Sequence, residues 1–197
     1  MKFKTIRDDV IVKNVIKRSV FIGTIKYVSN LAEAEKCLKS LKVQYKDANH
    51  NPHAFRLTSG EYHYSDDGEP SGSAGLPIFN AIRRFDIYNV CIVVTRYFGG
   101  VKLGIPGLIE AYGKTAEFAI NNAKIVEEKT TKTIEIVFPY SSFNYVNYVS
   151  NKFQAEVLKR EFKDLGILVL KIDEDLLLDF TELLKKDNRI SIRVLNF

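Results

Sequence analysis

The sequence predicts an α+β protein of two domains, residues 1–129 and 130–197, and three observations carry that reading. Runs rich in β-branched residues with period-two alternation are interleaved with stretches of 3.6-residue periodicity. The segment Glu127-Glu128-Lys129-Thr130-Thr131-Lys132 is polar, lacks an apolar anchor and reads as a linker. Beyond it the elements follow the order βαββαβ.

Val10 to Ile16 and Ser19 to Val28 are β-branched and partly alternating, so both read as strands. Asn30-Leu31-Ala32-Glu33 has capping-box spacing and predicts a helix to about Tyr45. Ala54–Thr58 and Glu61–Ser65 flank Ser59-Gly60 as a hairpin. Pro77 belongs in the first turn of a helix running to about Phe85. Val90-Cys91-Ile92-Val93-Val94 is apolar on both faces, which predicts a central strand over Tyr88–Thr95. Leu108, Ala111, Tyr112, Thr115, Ala116, Ala119 and Ile120 then recur at helical spacing, to about Asn122. In the second domain Ile134, Ile136 and Phe138 mark a strand, Phe143–Val149 a helix, Phe153–Phe162 and Ile167–Ile172 two strands, Asp175–Lys186 a helix, and Ile190, Ile192 and Val194 a last strand. That order is ferredoxin-like; two helices cover one face of a four-stranded sheet and leave the other for solvent, the first domain or a partner.

No apolar run approaches the ~18–20 residues that span a bilayer, and the N-terminal residues lack the apolar stretch of a signal peptide. No membrane association and a cytoplasmic location are expected. Cys37 and Cys91 give neither a disulfide framework nor zinc-ligand spacing, and read as buried structural thiols. The net charge of +5 lies in the first domain, with 19 Lys+Arg against 14 Asp+Glu, while the second carries 10 of each. Such an excess suits either a polyanionic partner or plain solubility.

Two glycine-rich segments concentrate the candidate chemistry: 66–75, with Asp66, Asp67, Glu69, Ser71 and Ser73, and 96–104, leaving the central strand. Backbone N–H groups of a glycine loop that opens a helix can receive an anion. The expected anion or nucleic-acid contacts are Arg96 and Lys102 as charges, Gly99, Gly100 and Gly104 as backbone donors, and Ser71 and Ser73 beside them. Neither G-x-G-x-x-G nor a P-loop is present, which argues against a dinucleotide enzyme or ATPase. Tight packing of these glycines is the plainer alternative. Asp66, Asp67 and Glu69 can hold a cation, or pair with Arg96 and cap backbone N–H groups; pairing is favoured, since the calcium-loop pattern is absent. His50 and His53, with His63 nearby, have a His-x-x-His spacing that could share a helix face, but Pro52 argues against helix there. A metal site is therefore disfavoured, and His50 reads as a hydrogen-bonding loop residue or a general base. Arg83 and Arg84 complement a helix dipole, or join Arg96, Lys102, Tyr97 and Phe98 as a cationic surface with aromatic platforms. No catalytic constellation, cofactor or metal is expected.

His50-Asn51 before Ala54-Phe55, the block Asp66 to Pro77, and Val93-Val94-Thr95-Arg96-Tyr97-Phe98-Gly99-Gly100-Val101-Lys102-Leu103-Gly104 resemble the IMPACT/YigZ family. The resemblance implies an N-terminal domain like ribosomal protein S5 domain 2 and a ferredoxin-like tail like a domain of elongation factor G, and so work at the ribosome. Eukaryotic relatives regulate translation under amino-acid stress with a further domain not found here. The chain departs from the family pattern at Ile105-Pro106-Gly107, at Glu110-Ala111-Tyr112, at Pro52-His53 and at Ser73. Glu110 reverses a charge beside the anion site, and Pro106 removes an N–H. The resulting expectation is a non-catalytic protein that binds RNA or a ribosomal translation component. The rival is an enzyme on a small phosphorylated or carboxylated substrate, with Asp66, Asp67 or Glu69 as acid, base or metal ligand and His50 assisting.

Overall fold

A computed structural model describes residues 2–195. It shows an α+β protein whose contacts divide it into two compact units, residues 3–128 and residues 129–195 with Lys2. Among the described residues no helix is long and apolar enough to cross a membrane.

The first unit holds a five-stranded antiparallel sheet in the order β2-β3-β6-β4-β5, built from Val10–Ile16, Ser19–Tyr27, Val90–Tyr97, His53–Arg56 and Tyr62–Ser65. β6 is the middle strand, which explains why it is apolar on both faces. Its Val90, Ile92 and Val94 point into the larger core with α2 (Gly75–Phe85) and α3 (Gly104–Asn122). Its Cys91 and Val93 point to the opposite side, against α1 (Leu31–Gln44). Cys91 is buried there but Cys37 only partly so, and both thiols are free.

The local signals explain the element ends. Asn30 caps α1 by accepting from the Glu33 N–H at 2.9 Å, and the Glu33 carboxylate reaches back to the Ser29 N–H at 2.8 Å. Asp86 ends α2 in the left-handed conformation. Two further strands were not predicted: β1 (Lys2–Ile6) and β7 (Ile125–Lys129) pair as a separate two-stranded sheet.

The second unit contains β8 (Thr131–Phe138), α4 (Phe143–Lys152), β9 (Glu156–Phe162), β10 (Gly166–Asp173), α5 (Leu177–Leu184) and β11 (Ser191–Leu195). Its antiparallel sheet has the order β11-β8-β10-β9, the ferredoxin-like arrangement. Ile134, Ile136, Phe138, Leu168 and Leu170 pack beneath Val146, Val149, Phe180 and Leu184 of the two helices. The segment read as a linker is strand on both sides of Thr130, because backbone pairing suits polar, β-prone residues whose side chains stay in solvent. On the helix-free face, register places Lys159, Lys171 and Arg193 among Glu135, Glu156 and Glu161, so the two signs of charge balance there.

Candidate anion-binding cleft at the end of the central strand

The site begins with the length of β6. The strand was expected to stop at Thr95, which would leave Arg96 in a loop, yet it runs to Tyr97. Alternation then carries Val90, Ile92, Val94 and Arg96 to the same inward face. Thr95 points the other way and donates to the Asn51 side chain at 2.7 Å. His50 pairs with Arg96 across an antiparallel bridge, the Arg96 N–H donating to its carbonyl at 2.8 Å.

Arg96 is therefore buried, at 6% exposure, and its guanidinium donates to Glu69 Oε1 at 2.7 Å. Tyr112, fully buried on α3, donates its hydroxyl to the same oxygen at 2.6 Å. Burial and the adjacent Glu69 charge drive the Tyr112 phenol far above its ordinary range, so it remains a donor. The guanidinium carbon lies 5.6 Å from the Phe21 ring and 5.4 Å from the Phe98 ring, and its buried Nε has no hydrogen-bond partner among the described residues. Arg96 is thus neutralised from within. It forms the floor of a cleft of about 390 Å³ rather than a free cation, a correction to the sequence reading.

The acidic loop is likewise bound by its own chain. Asp66 accepts from the N–H groups of Gly72 at 2.8 Å, Ala74 at 3.0 Å and Gly75 at 2.8 Å, which fastens the start of α2. Asp67 accepts from the Asn51 N–H at 2.7 Å and from Lys42 Nζ at 3.2 Å, and His50 Nδ1 donates to the Asp67 carbonyl at 2.9 Å. The favoured reading of this loop, pairing with Arg96 and capping of N–H groups, is what the geometry shows. The proton-transfer roles considered for Asp66, Asp67, Glu69 and His50 lose their free groups. Among the described residues no cluster of His, Cys, Asp and Glu is arranged to hold a metal.

Burial opposes ionisation of Asp67, but the Asn51 N–H and the Lys42 ammonium outweigh it and hold the carboxyl below its ordinary value of 3.8. A folded-state value below the unfolded one gives stability that is complete above the unfolded pKa and lost as pH falls through the folded pKa. Asp67→Asn should therefore weaken the protein at pH 6 and flatten the loss of stability below pH 3.8, as urea unfolding across that range would read.

The other predicted residues separate into bound and open groups. Ser73 is buried and donates to the Pro70 carbonyl at 2.6 Å, and the Gly99 N–H donates to Ser19 Oγ at 3.2 Å, so neither is available to a ligand. Ser71, Gly100, Lys102 and Gly104 are exposed. Lys102, Leu103, Gly104 and Ile105 line the cleft where α3 begins without a side-chain cap and without an acid in its first turn. Pro106 falls in that first turn, where intrahelical bonding needs no N–H. Glu110, the charge reversal, is held by Lys114 one turn along at 2.5 Å.

Sequence reasoning missed Lys17 and Arg18. They form the two-residue turn between β2 and β3, both exposed, at φ 44° and 68°. Their place beside the cleft is fixed by Gly99, where an added Cβ would stand 2.1 Å from the Arg18 carbonyl carbon. The available signal was a two-residue gap between two strand runs, filled by residues that resist the left-handed region such a turn requires.

Comparison with known proteins accords with this architecture. The Impact N-terminal domain matches residues 17–120, from the β2–β3 turn into α3. "IMPACT family member YvyE" of Bacillus subtilis (strain 168) is 35% identical over 150 residues, covering 75% of this chain and 68% of its own. An "IMPACT family member" of Haemophilus influenzae is 30% identical over 197 residues, covering 94% of this chain and 93% of its own. A solved structure described as a hypothetical protein has a TM-score of 0.73 at 22% identity, covering 100% of this chain and 97% of that one, a likeness of fold. With a family match over more than half its length and a relative of this identity, the chain belongs to the IMPACT family.

Proposed function

We propose that this protein binds RNA of the translation apparatus through the cleft between the end of β6 and the start of α3, and that it does so without catalysing a reaction. The observation that carries this is the contrast in charge. Glu69, Asp66 and Asp67 are all held by their own chain, while Lys102 and Arg18 stand exposed with no ion-pair partner among the described residues. Lys17 adds a third exposed cation, its nearby Glu110 being paired with Lys114. The N-terminus of α3, which has no side-chain cap, lines the same space, a favourable place for a phosphate oxygen. Phe98, 46% exposed, offers a ring at the rim. The balanced charges of the second unit's helix-free face give it no comparable attraction for a polyanion.

Displacement of counterions by three cations gives a log–log salt slope of about −2 on single-stranded RNA, at about 0.7 per contact. A fluorescently labelled 12-nucleotide uridylate titrated from 50 to 300 mM KCl reads it. Lys102→Ala should lower the slope by about 0.7. Lys17→Asn with Arg18→Gly should lower it by about 1.4 while raising thermal stability, because asparagine and glycine accept the turn's positive φ. A flat salt response in the wild type, or a slope unmoved by all these changes, overturns the proposal.

A further inference from the structure

Toward the opposite end of β6 from the cleft lies a second surface. Arg56 of β4 stands in register with Val90, whereas His50 bridges Arg96. Six strand residues, roughly 20 Å along the sheet, therefore separate Tyr62 from the cleft, and four, roughly 13 Å, separate Tyr64. Here Tyr62 and Tyr64, two apart on the edge strand β5 and so on one face of it, lie over Phe79 of α2. The Tyr62 and Phe79 rings are 5.0 Å apart and 18° from parallel; those of Tyr64 and Phe79 are 5.6 Å apart and 26° from parallel. Phe79 is buried at 8% exposure, while Tyr62 is 60% and Tyr64 41% exposed. The stack thus has a fixed base and open outer rings.

On the α2 side of the rings the lining charge is of one sign, whereas Glu35 and Glu61 line a separate cleft against α1. A cleft of about 450 Å³ adjoins Tyr62 and Phe79 and is lined by Arg56, Tyr88 and Arg83 but by no carboxylate. Arg56 is occupied, its guanidinium 3.6 Å above the Tyr88 ring and bonded to Asp86 at 3.3 Å. Arg84 is paired with Glu117. Arg83 is exposed and has no ion-pair partner among the described residues. Rigid aromatic rings next to an unpaired guanidinium are the parts with which proteins hold single-stranded nucleic acid, the rings taking bases and the cation a phosphate.

We propose that Tyr62 and Tyr64, backed by Phe79, form a stacking platform for bases of single-stranded RNA, with Arg83 contacting the adjoining phosphate. This rests on the RNA-binding reading above and says where the bases go; with Arg83 as a fourth phosphate contact the salt slope on a strand that spans both places steepens to about −2.8. It requires no sequence preference, since every base presents a ring face.

The test compares a labelled 12-nucleotide uridylate with an abasic ribose-phosphate strand of equal length, on the full chain at fixed salt. The wild type should bind the uridylate more tightly. Tyr62→Ala and Tyr64→Ala should each weaken uridylate binding by roughly 5- to 150-fold, the range for loss of one stacked base. They should leave the abasic strand and the salt slope unchanged, whereas Tyr62→Phe should bind as the wild type does. An unchanged salt slope and a native circular dichroism spectrum show that the alanine variants are folded. If the two strands bind equally well, or the alanine variants bind uridylate as the wild type does, the platform is wrong while the salt-dependent cleft stands. If the wild type binds neither strand, both fall.

Discussion

Glu69→Ala is expected to destabilise the first unit by about 3–5 kcal/mol, the range for removing one partner of a buried ion pair. The carboxylate answers two donors at one oxygen, the Arg96 guanidinium and the Tyr112 hydroxyl, and both donors are buried. Without it the guanidinium keeps its charge between two aromatic rings and has no counter-ion, with an Nε that is already unbonded. Against a total stability of ~5–15 kcal/mol such a loss is large. Glu69→Gln should cost less, because an amide oxygen still accepts. Glu69→Ala combined with Arg96→Met should recover part of the loss, since replacing both members of a buried pair by apolar groups is often close to neutral. Native-state hydrogen exchange of the β6 amides in urea measures all three. A cost below about 1 kcal/mol for Glu69→Ala, or no recovery in the double variant, would show that the pair does not hold the floor of the cleft.

Gly99→Ala should be nearly as damaging, for a steric reason. Its Cβ would stand 2.1 Å from both the carbonyl carbon and oxygen of Arg18 and 2.5 Å from the Ser19 nitrogen. These are backbone atoms, so no side-chain rotation relieves the overlap. Either the β2–β3 turn or the end of β6 must move, which breaks the Gly99 to Ser19 hydrogen bond and displaces Lys17 and Arg18 from the cleft. A cost of about 3 kcal/mol, or a fall of roughly 10 °C in melting temperature, is expected, together with loss of the turn's share of the salt slope. Gly100→Ala is the control. Its φ of +83° disfavours alanine, but nothing lies within 4 Å of the added carbon, so about 1–2 kcal/mol is expected. Equal effects at the two glycines would mean that conformational preference, not close approach, fixes the loop.

Much of this architecture was legible because it rests on local periodicity. β2 was expected at Val10–Ile16 and is found there, and the capping-box residues open α1 as read. The pairing of Glu69 with Arg96 could be foreseen from like charges crowded beside one arginine. Arg96 itself was misplaced for want of one more step of alternation: the inward series Val90, Ile92 and Val94 continues to it, but a charged residue after an apolar run reads as the start of a loop. β1 and β7 gave too little signal because they are short and largely polar, and because each finds its partner far away in the sequence. The Lys17–Arg18 turn contradicts turn chemistry, so no propensity could reveal it. Such conflicts between local preference and fold concentrate where function is stored.

The pairing of β1 with β7 also sets an order of events during synthesis. Lys2–Ile6 is made more than a hundred residues before its partner Ile125–Lys129. In the meantime it can be held by burial of Ile6 in the larger core, by the Lys4 bridge to Ile87 and by the bond from the Tyr88 N–H to the Lys4 carbonyl. Nascent chains arrested before position 125 should therefore carry β1 without its strand partner, cut more readily by proteases, and this vulnerability should fall once Lys129 has emerged. Closure of the first unit is in that sense a timing signal: it reports that the chain has been made as far as the threshold of the second unit.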